Sequence, residues 1–432
     1  MGTTAEIALG VGSRRPEATR SAISASTAST ASTASTRERN DPSRGSERFD
    51  PASGSVVGMS MTTNTTTDAA RTLRVGVVGL GFAGTTHLDA YTALPGVEVV
   101  ALAGQETARL AELAETRHVP NTYEDWQDLV ARDDLDVVSI GVPNALHHPI
   151  AVAALESGKH VFCEKPLATT GDQAQEMVDA ALRNDRVLEV AYNHRRRADV
   201  QFLAAHLHND GGENPLGDVY HARASWLRRA GIPGIRSWFA NKETAGGGPL
   251  IDLGSHVLDI ALHLMGEPRV VTASAVTYNE LGRAGRGGSE HTPVSATTDR
   301  PFDVEDFASA LLRFDTGASL LLQASWASYS KDAEDIEVEL LGSTGGARLF
   351  VRDYATEGTV TLYSDEQGVP TVTRPAVQVP SGHHQRVIEE FIATIRSGLH
   401  DGHHGEFALH RSRVVDAIYA SAAAGHEMEV PA

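Results

Sequence analysis

Apolar and polar positions alternate along this chain in two different rhythms. The run Val75 to Val78 is short, β-branched and apolar, as expected of a strand buried on both faces, and His87, Leu88, Ala90 and Leu94 then fit a helix. "GVEVVALAGQETARLAELAE" repeats the unit, with a strand at Val97 to Ala103 followed by a helix. "LDVVSIGVPNALHHPIAVAALESGKHVFCEKPLATT" adds a strand to Val142, a turn at Pro143-Asn144, a helix and a strand ending in Glu164-Lys165-Pro166. Strand–helix alternation to about residue 190 predicts a parallel sheet. From 215 the rhythm changes. "DVYHARASW", "RVVTASAVTY", "ASALLRFD", "ASLLLQASW", "EDIEVELLGS" and "GGARLFVRD" follow one another without helices between most of them, which predicts an antiparallel sheet. Helical patterns over 383–397 and 405–424 close the chain. The fold class is therefore α/β: a parallel sheet with helices over 71–192, then a second α/β domain over 193–432 with a large, mostly antiparallel sheet.

Residues 1–70 break both rhythms. "SASTASTASTASTRERNDPSRGSERFDPASGS" has almost no large apolar residues and is expected to be a disordered, low-complexity extension; Met59 or Met61 is an alternative start. Arg14-Arg15 has no apolar segment after it, which argues against an export signal, and no apolar run reaches membrane-spanning length. The chain of 432 residues carries 56 acidic and 37 basic side chains, a net charge of -19, with only four lysines. No basic stripe is present for nucleic acid. A single cysteine, Cys163, allows no internal disulfide and fits a reducing compartment, so the expected location is cytoplasmic, with neither nucleic acid nor membrane as partner.

The chemistry begins at "GLGFAG", residues 79–84, between the first strand and helix. In a GxGxxG turn the first Gly allows a sharp bend, the second lets backbone approach a pyrophosphate, and the third permits close helix–strand packing. Gly79, Gly81, Phe82, Ala83 and Gly84 are thus candidate NAD(P)-binding positions, with Gly104, Gln105, Pro143, Asn144, His147, Glu164 and Lys165 on the following strand ends and turns. The ribose-gripping acid expected after the second strand is missing at Gly104-Gln105, and Arg109 lies a little further on, which leans the cofactor toward NADP. Glu106 would serve NAD if the loop were displaced by two residues, and an open, unselective loop fits equally well.

Lys165, after Glu164 at the carboxyl end of a strand, can hydrogen-bond a substrate oxygen; a surface lysine is the bland alternative. In "GGGPLIDLGSHVLDIALHLMG" three glycines and Pro249 form a flexible entry to a helix from about Leu250 to Met265. Asp252, His256 and Asp259 share one face, and an imidazole beside a carboxylate is a usable base, its ionised form favoured. A purely structural Asp–His pair is the alternative; Asp259 and His263 are expected to tie the helix to its neighbours. Asn193 and Arg195 in "AYNHRRRADV" are candidate pocket residues; Arg228, Arg236 and Trp238 in "WLRRAGIPGIRSWFANKETAGGG" could bind an acidic sugar, and a solvated loop fits them equally well. The "HH" pairs at 147–148, 383–384 and 403–404 are too scattered for a metal, and no metal is expected.

These segments, taken in order with "VEDFASALLRFDTGASLLLQASW" and "SAAAGHEMEV", make the chain resemble the Gfo/Idh/MocA family of NAD(P)-dependent oxidoreductases across roughly residues 74–430. The resemblance implies a Rossmann dinucleotide-binding domain over 71–192 and a C-terminal α/β domain for substrate binding and oligomerisation over 193–432, in a dehydrogenase acting on a CH–OH group of a sugar, polyol or cyclitol. A broad antiparallel sheet with helices on one side leaves its other face needing cover, so the chain is expected to form a homodimer or homotetramer through that face. It implies that Lys165 contacts substrate and nicotinamide, that His256 accepts the proton, and that Asp252 orients it or holds a second hydroxyl. It also implies a cis bond before Pro166, which the residues alone leave open. His194 departs from the family's commoner Arg-Arg pair. An NAD-dependent glycosidase and a non-enzymatic dinucleotide sensor are the rival readings; a sensor would have no chemical need for Lys165, Asp252 and His256.

Overall fold

A computed structural model describes residues 71–208, 213–234, 237–288, 302–330 and 332–432. The N-terminal extension, Arg236 and Lys331 lie outside the described residues.

The first rhythm builds a six-stranded sheet. Its elements are β1 (Leu73–Val78), α1 (Phe82–Thr92), β2 (Val97–Ala103), α2 (Thr107–Thr116), β3 (Asn121–Tyr123), α3 (Trp126–Val130), β4 (Val137–Ile140), α4 (His147–Glu156), β5 (His160–Cys163), α5 (Gly171–Asn184) and β6 (Leu188–Val190). Strand order is β3-β2-β1-β4-β5-β6, and every neighbouring pair runs parallel. The order reverses between β1 and β4, the switch point where open α/β sheets collect ligands. Successive residues feed two cores: Val75, Val77, Val137 and Phe162 meet α1 on one side, while Val78, Val138, Ile140 and Val161 meet α4 and α5 on the other.

The second rhythm gives α6 (Ala198–Leu207), β7 (Val219–Arg228), α7 (Lys242–Ala245), α8 (Ser255–Leu264), β8 (Val270–Tyr278), β9 (Phe307–Phe314), β10 (Ser319–Ser325), β11 (Glu334–Gly342), β12 (Gly346–Arg352), β13 (Val360–Glu366), β14 (Val369–Thr373), α9 (His383–Ser397), α10 (Glu406–Ala424) and β15 (Met428–Glu429). Nine strands form one sheet in the order β14-β13-β12-β11-β7-β10-β9-β8-β15. It is antiparallel except where β7 lies parallel to β10. α6, α8 and α10 cover one face, packing Leu203, Val257, Ile260 and Ile418 on Ala224, Leu312, Leu322 and Val338. The other face carries Ser309, Leu311, Leu321 and Phe350, none of them buried. β13, β14 and β15 are additions to the strands expected from sequence. α9 leaves this half and sets Ile388 and Phe391 in the core beside α1, completing a layer on the first sheet.

Candidate active site

A cavity of about 1060 Å³ runs along the strand ends of the first sheet into the helical layer of the second. Its cofactor end is made largely of backbone. Gly79 sits at φ +112, and a Cβ there would lie 2.1 Å from the carbonyl oxygen of Gly141. Gly81 has open space where a Cβ would go, so the wall is free to receive a ligand. Gly84 does not line the cavity; a Cβ on it would stand 2.0 Å from Gly79 O, so this glycine lets α1 press on the turn. α1 opens into the cavity at Phe82 and Ala83, presenting unpaired N–H groups to a phosphate. The residues fit a dinucleotide.

Gly104, Gln105, Pro143, Asn144, Glu164 and Lys165 also line the wall. Asn144 donates from Nδ2 to Ala245 O at 2.8 Å, which ties the β4 turn to α7. His147 is a correction: it lies fully buried behind the wall, its ring nitrogens 2.8 Å from Pro166 O and 3.0 Å from Val142 O. It positions both wall segments instead of touching the cavity. The Lys165–Pro166 bond is cis. Glu164 is braced from behind as well: His87, itself 3.0 Å from Ser139 Oγ, approaches Glu164 Oε1 at 3.2 Å, and Lys165 N donates to Oε2 at 3.1 Å. Burial pushes the Glu164 carboxyl up, but the His87 hydrogen bond and nearby positive charge carry it below its ordinary value.

The reacting end converges on Lys165. Its Nζ donates to Asp252 Oδ1 at 2.8 Å and to Asp252 O at 3.1 Å. Asp252 belongs to a single π-helical turn, Leu250–Gly254, that precedes α8, so the expected continuous helix begins instead with a widened turn. The glycines before it are tight, not flexible. Cβ atoms on Gly247 and Gly248 would stand 1.9 Å from Tyr419 Oη and 2.0 Å from Glu305 O. The buried Glu305 carboxylate accepts from Gly248 N and Leu250 N at 2.9 and 3.0 Å, fixing the start of the turn.

The expected Asp252–His256 pair does not form. Both carboxylate oxygens of Asp252 are taken, Oδ1 by Lys165 and Oδ2 by Trp326 Nε1 at 2.8 Å. Burial raises the Asp252 carboxyl and the Lys165 charge more than offsets that, leaving it below its usual value. His256 instead packs against His194, ring centroids 4.7 Å apart, and against Trp226 at 5.7 Å. Burial, then the positive charge of Lys165, holds His256 well below the usual imidazole range. The ring is therefore neutral near pH 7, an empty proton acceptor, where pairing with a carboxylate would have made it charged.

Asn193 and Trp238 line the cavity as expected; Arg195 does not. Its guanidinium makes two 2.6 Å bonds to Asp259, and Arg411 Nε reaches the same carboxylate at 3.0 Å. A buried carboxylate of this kind is stable only when paired, so Arg195 locks the segment after β6 to α8. Sequence reasoning missed Trp226, Tyr354, Thr356, His383 and His384 on the wall, and took His194 only as a departure from a motif. The paired histidines at 383–384 were the available signal.

A glycine turn on a Rossmann sheet, opening beside a lysine, a carboxylate and a neutral imidazole, defines a dinucleotide-dependent oxidoreductase. The chain belongs to the Gfo/Idh/MocA family: residues 73–192 match the oxidoreductase family with an NAD-binding Rossmann fold, and residues 212–348 match the GFO/IDH/MocA C-terminal domain. It is 32% identical over 364 residues to D-glucoside 3-dehydrogenase of Escherichia coli (strain K12), covering 83% of this chain and 97% of that one. It is 33% identical over 323 residues to levoglucosan dehydrogenase of Pseudarthrobacter phenanthrenivorans, covering 70% and 81%. A solved levoglucosan dehydrogenase in complex with NADH superposes with a TM-score of 0.70 at 27% identity, covering 83% of this chain and 99% of that structure.

Proposed function

We infer that this protein is an NAD(P)-dependent dehydrogenase that exchanges a hydride with a hydroxyl or carbonyl carbon of a sugar, polyol or cyclitol. The observation that carries the reading is the Lys165–Asp252 pair beside neutral His256 on the wall of the cavity that the glycine turn also lines. The nicotinamide supplies the hydride acceptor when bound. Lys165, anchored by Asp252, holds the substrate oxygen and stabilises the negative charge that develops on it. His256 takes the hydroxyl proton, and in the reductive direction returns it. Trp226, Trp238 and Asn193 orient the sugar ring. Assay of NAD(P)H absorbance against a panel of sugars, polyols and glycosides, with both cofactors, tests this; no net turnover of either cofactor with any of them would overturn it.

The second cofactor question is the adenosine ribose. Glu106, Glu124 and Asp125 line the cavity beyond β2 and β3, whereas Arg109 is not on the wall and pairs with Glu112 at 2.9 Å. This clustering of negative charge opposes a 2′-phosphate, so the reading favours NAD over the NADP suggested by the missing acid at Gly104. The open face of the nine-stranded sheet is the surface proposed to join subunits, since a mixed face of Leu311, Leu321, Phe350 and polar neighbours gains by being covered. Light scattering that finds a monomer at micromolar concentration would remove this proposal.

A further inference from the structure

We propose that Glu334 sets substrate specificity: by holding Arg228 it leaves the substrate end of the cavity without an anion-binding charge, so that uncharged sugars are accepted and sugar acids of the same shape are rejected. The proposal rests on the dehydrogenase reading above and names its substrate class.

Arg228 and Trp226 lie two residues apart on β7 and both line the cavity. β11 pairs antiparallel with β7 and sets Glu334 directly opposite Arg228. A single oxygen, Glu334 Oε1, accepts from Arg228 Nε at 2.8 Å, from Tyr354 Oη at 2.8 Å and from Trp226 Nε1. Three wall side chains therefore hang on one carboxylate. The guanidinium also lies 5.7 Å from the Trp226 ring centroid, and a Cβ on Gly231 would come within 2.9 Å of Arg228 Cδ. Arg228 is gripped on several sides, and both partners are largely withdrawn from water, at 19% and 14% exposure.

The other cations of the wall are neutralised in the same way. Lys165 pairs with Asp252 at 2.8 Å, and Arg197 pairs with the buried Asp199 at 2.8 Å. Burial holds His194, His256, His383 and His384 below their ordinary pKa, so these rings add no charge near pH 7. Among the described wall residues every lysine and arginine thus has a carboxylate partner. An incoming carboxylate would lose its water, find each cation already engaged, and face the Asp252 carboxylate on the wall. A neutral sugar meets only hydrogen-bonding groups and aromatic faces. On this proposal Arg228, a candidate for gripping an acidic sugar, instead helps to exclude one.

The test measures calorimetric binding and kcat/KM for matched pairs, methyl glucoside with methyl glucuronoside and methyl galactoside with methyl galacturonoside. The proteins are the NAD-loaded full-length wild type, Glu334→Gln, Glu334→Asp and the double variant Glu334→Gln with Arg228→Met. The wild type is expected to favour the neutral member by at least about tenfold. Glu334→Gln keeps an acceptor for Trp226 and Tyr354 but frees the Arg228 charge, so it should narrow that ratio by about tenfold through Kd and KM, not kcat. Glu334→Asp should keep the wild-type ratio, and adding Arg228→Met should abolish the gain. Equal wild-type binding of both members, binding of neither, an unmoved ratio in Glu334→Gln, or a gain that survives Arg228→Met would each overturn the proposal. A neutral sugar bound selectively yet never oxidised would instead overturn the dehydrogenase reading and leave the selectivity standing.

Discussion

The two ends of the cavity are built from different materials. The cofactor end is backbone: glycines whose missing side chains make room, a helix N-terminus, and turns that follow β1, β2 and β4 in order. The substrate end is side chains collected from β7, the π turn, the segment after β12 and the start of α9, and its charges cancel in pairs. Backbone sites are tuned by geometry and tolerate little change, whereas a wall of paired side chains can be retuned one partner at a time.

The largest effect is expected at the reacting atoms, where the two ends meet. Lys165→Ala and His256→Ala should each lower kcat by about a hundredfold or more on a verified substrate, with NAD(H) binding largely kept. Loss of binding instead of turnover, read by fluorescence titration of NADH, would mean that the residue serves the cofactor end. Wild-type turnover in either variant would remove its assigned role. Asp252→Asn should fall close behind, because Lys165 would lose the charge that anchors it.

At the cofactor end, Gly79→Ala should abolish NADH binding or destabilise the fold. A Cβ would both occupy φ +112 and press on Gly141 O at 2.1 Å. Gly81→Ala, with nothing within 4 Å of its Cβ, should fold normally and weaken only the cofactor. Thermal melts of the two apo proteins separate these outcomes; equal stability would mean that the turn relaxes more easily than its packing indicates.

The contrast also explains what the sequence makes legible. Local rules find β1, the glycine turn and β2, because neighbours in sequence remain neighbours in space. The Lys165 position is legible for the same reason, as the end of a strand. Asp252 and His256 are found by helical spacing, but their partnership is misjudged. Trp326 and Lys165 come from 74 and 87 residues away to occupy the carboxylate, and no local spacing reports that. Arg195 fails similarly: its partner Asp259 lies 64 residues on, and that bond turns it from the pocket into the structure behind it. Glu334, the first residue of β11, has no motif at all and becomes visible only when β11 is laid against β7.

A smaller effect concerns acid. Burial, the leading cause in each ring, holds His160 down to about 3 and His263, His383 and His410 to about 4, and also lowers His147, His194, His256 and His384. The unfolded chain takes up these protons below about pH 6.5 and the folded chain does not, so stability is full above that pH and falls as pH falls through it. Burial raises Glu189 to about 7 and also raises Glu305, Asp335, Glu390 and Asp416, and these five carboxyls act in the opposite sense against eight rings. The melting temperature should therefore drop between pH 7 and pH 5.5. Because His194, His256, His383 and His384 line the substrate end, sugar binding should weaken before NADH binding does. A flat or rising melting curve would mean that these rings find proton-accepting partners.

The smallest effect is cofactor choice, because the groups involved are exposed and screened by salt. The missing acid at Gly104 suggests that Gly104→Asp would install an NAD preference, but a Cβ there would lie 2.4 Å from Leu80 Cγ and displace a wall residue. The cleaner change removes charge already present. Glu106→Gln together with Glu124→Gln should move the NADP-to-NAD ratio of kcat/KM upward by several-fold, and by less at high ionic strength. Glu106 also precedes α2 as its N-cap residue but makes no side-chain cap bond, so its replacement should leave the helix intact. A ratio that does not move, at either salt concentration, would show that the carboxylates beyond β2 and β3 do not read the ribose and that selection is made by loop shape alone.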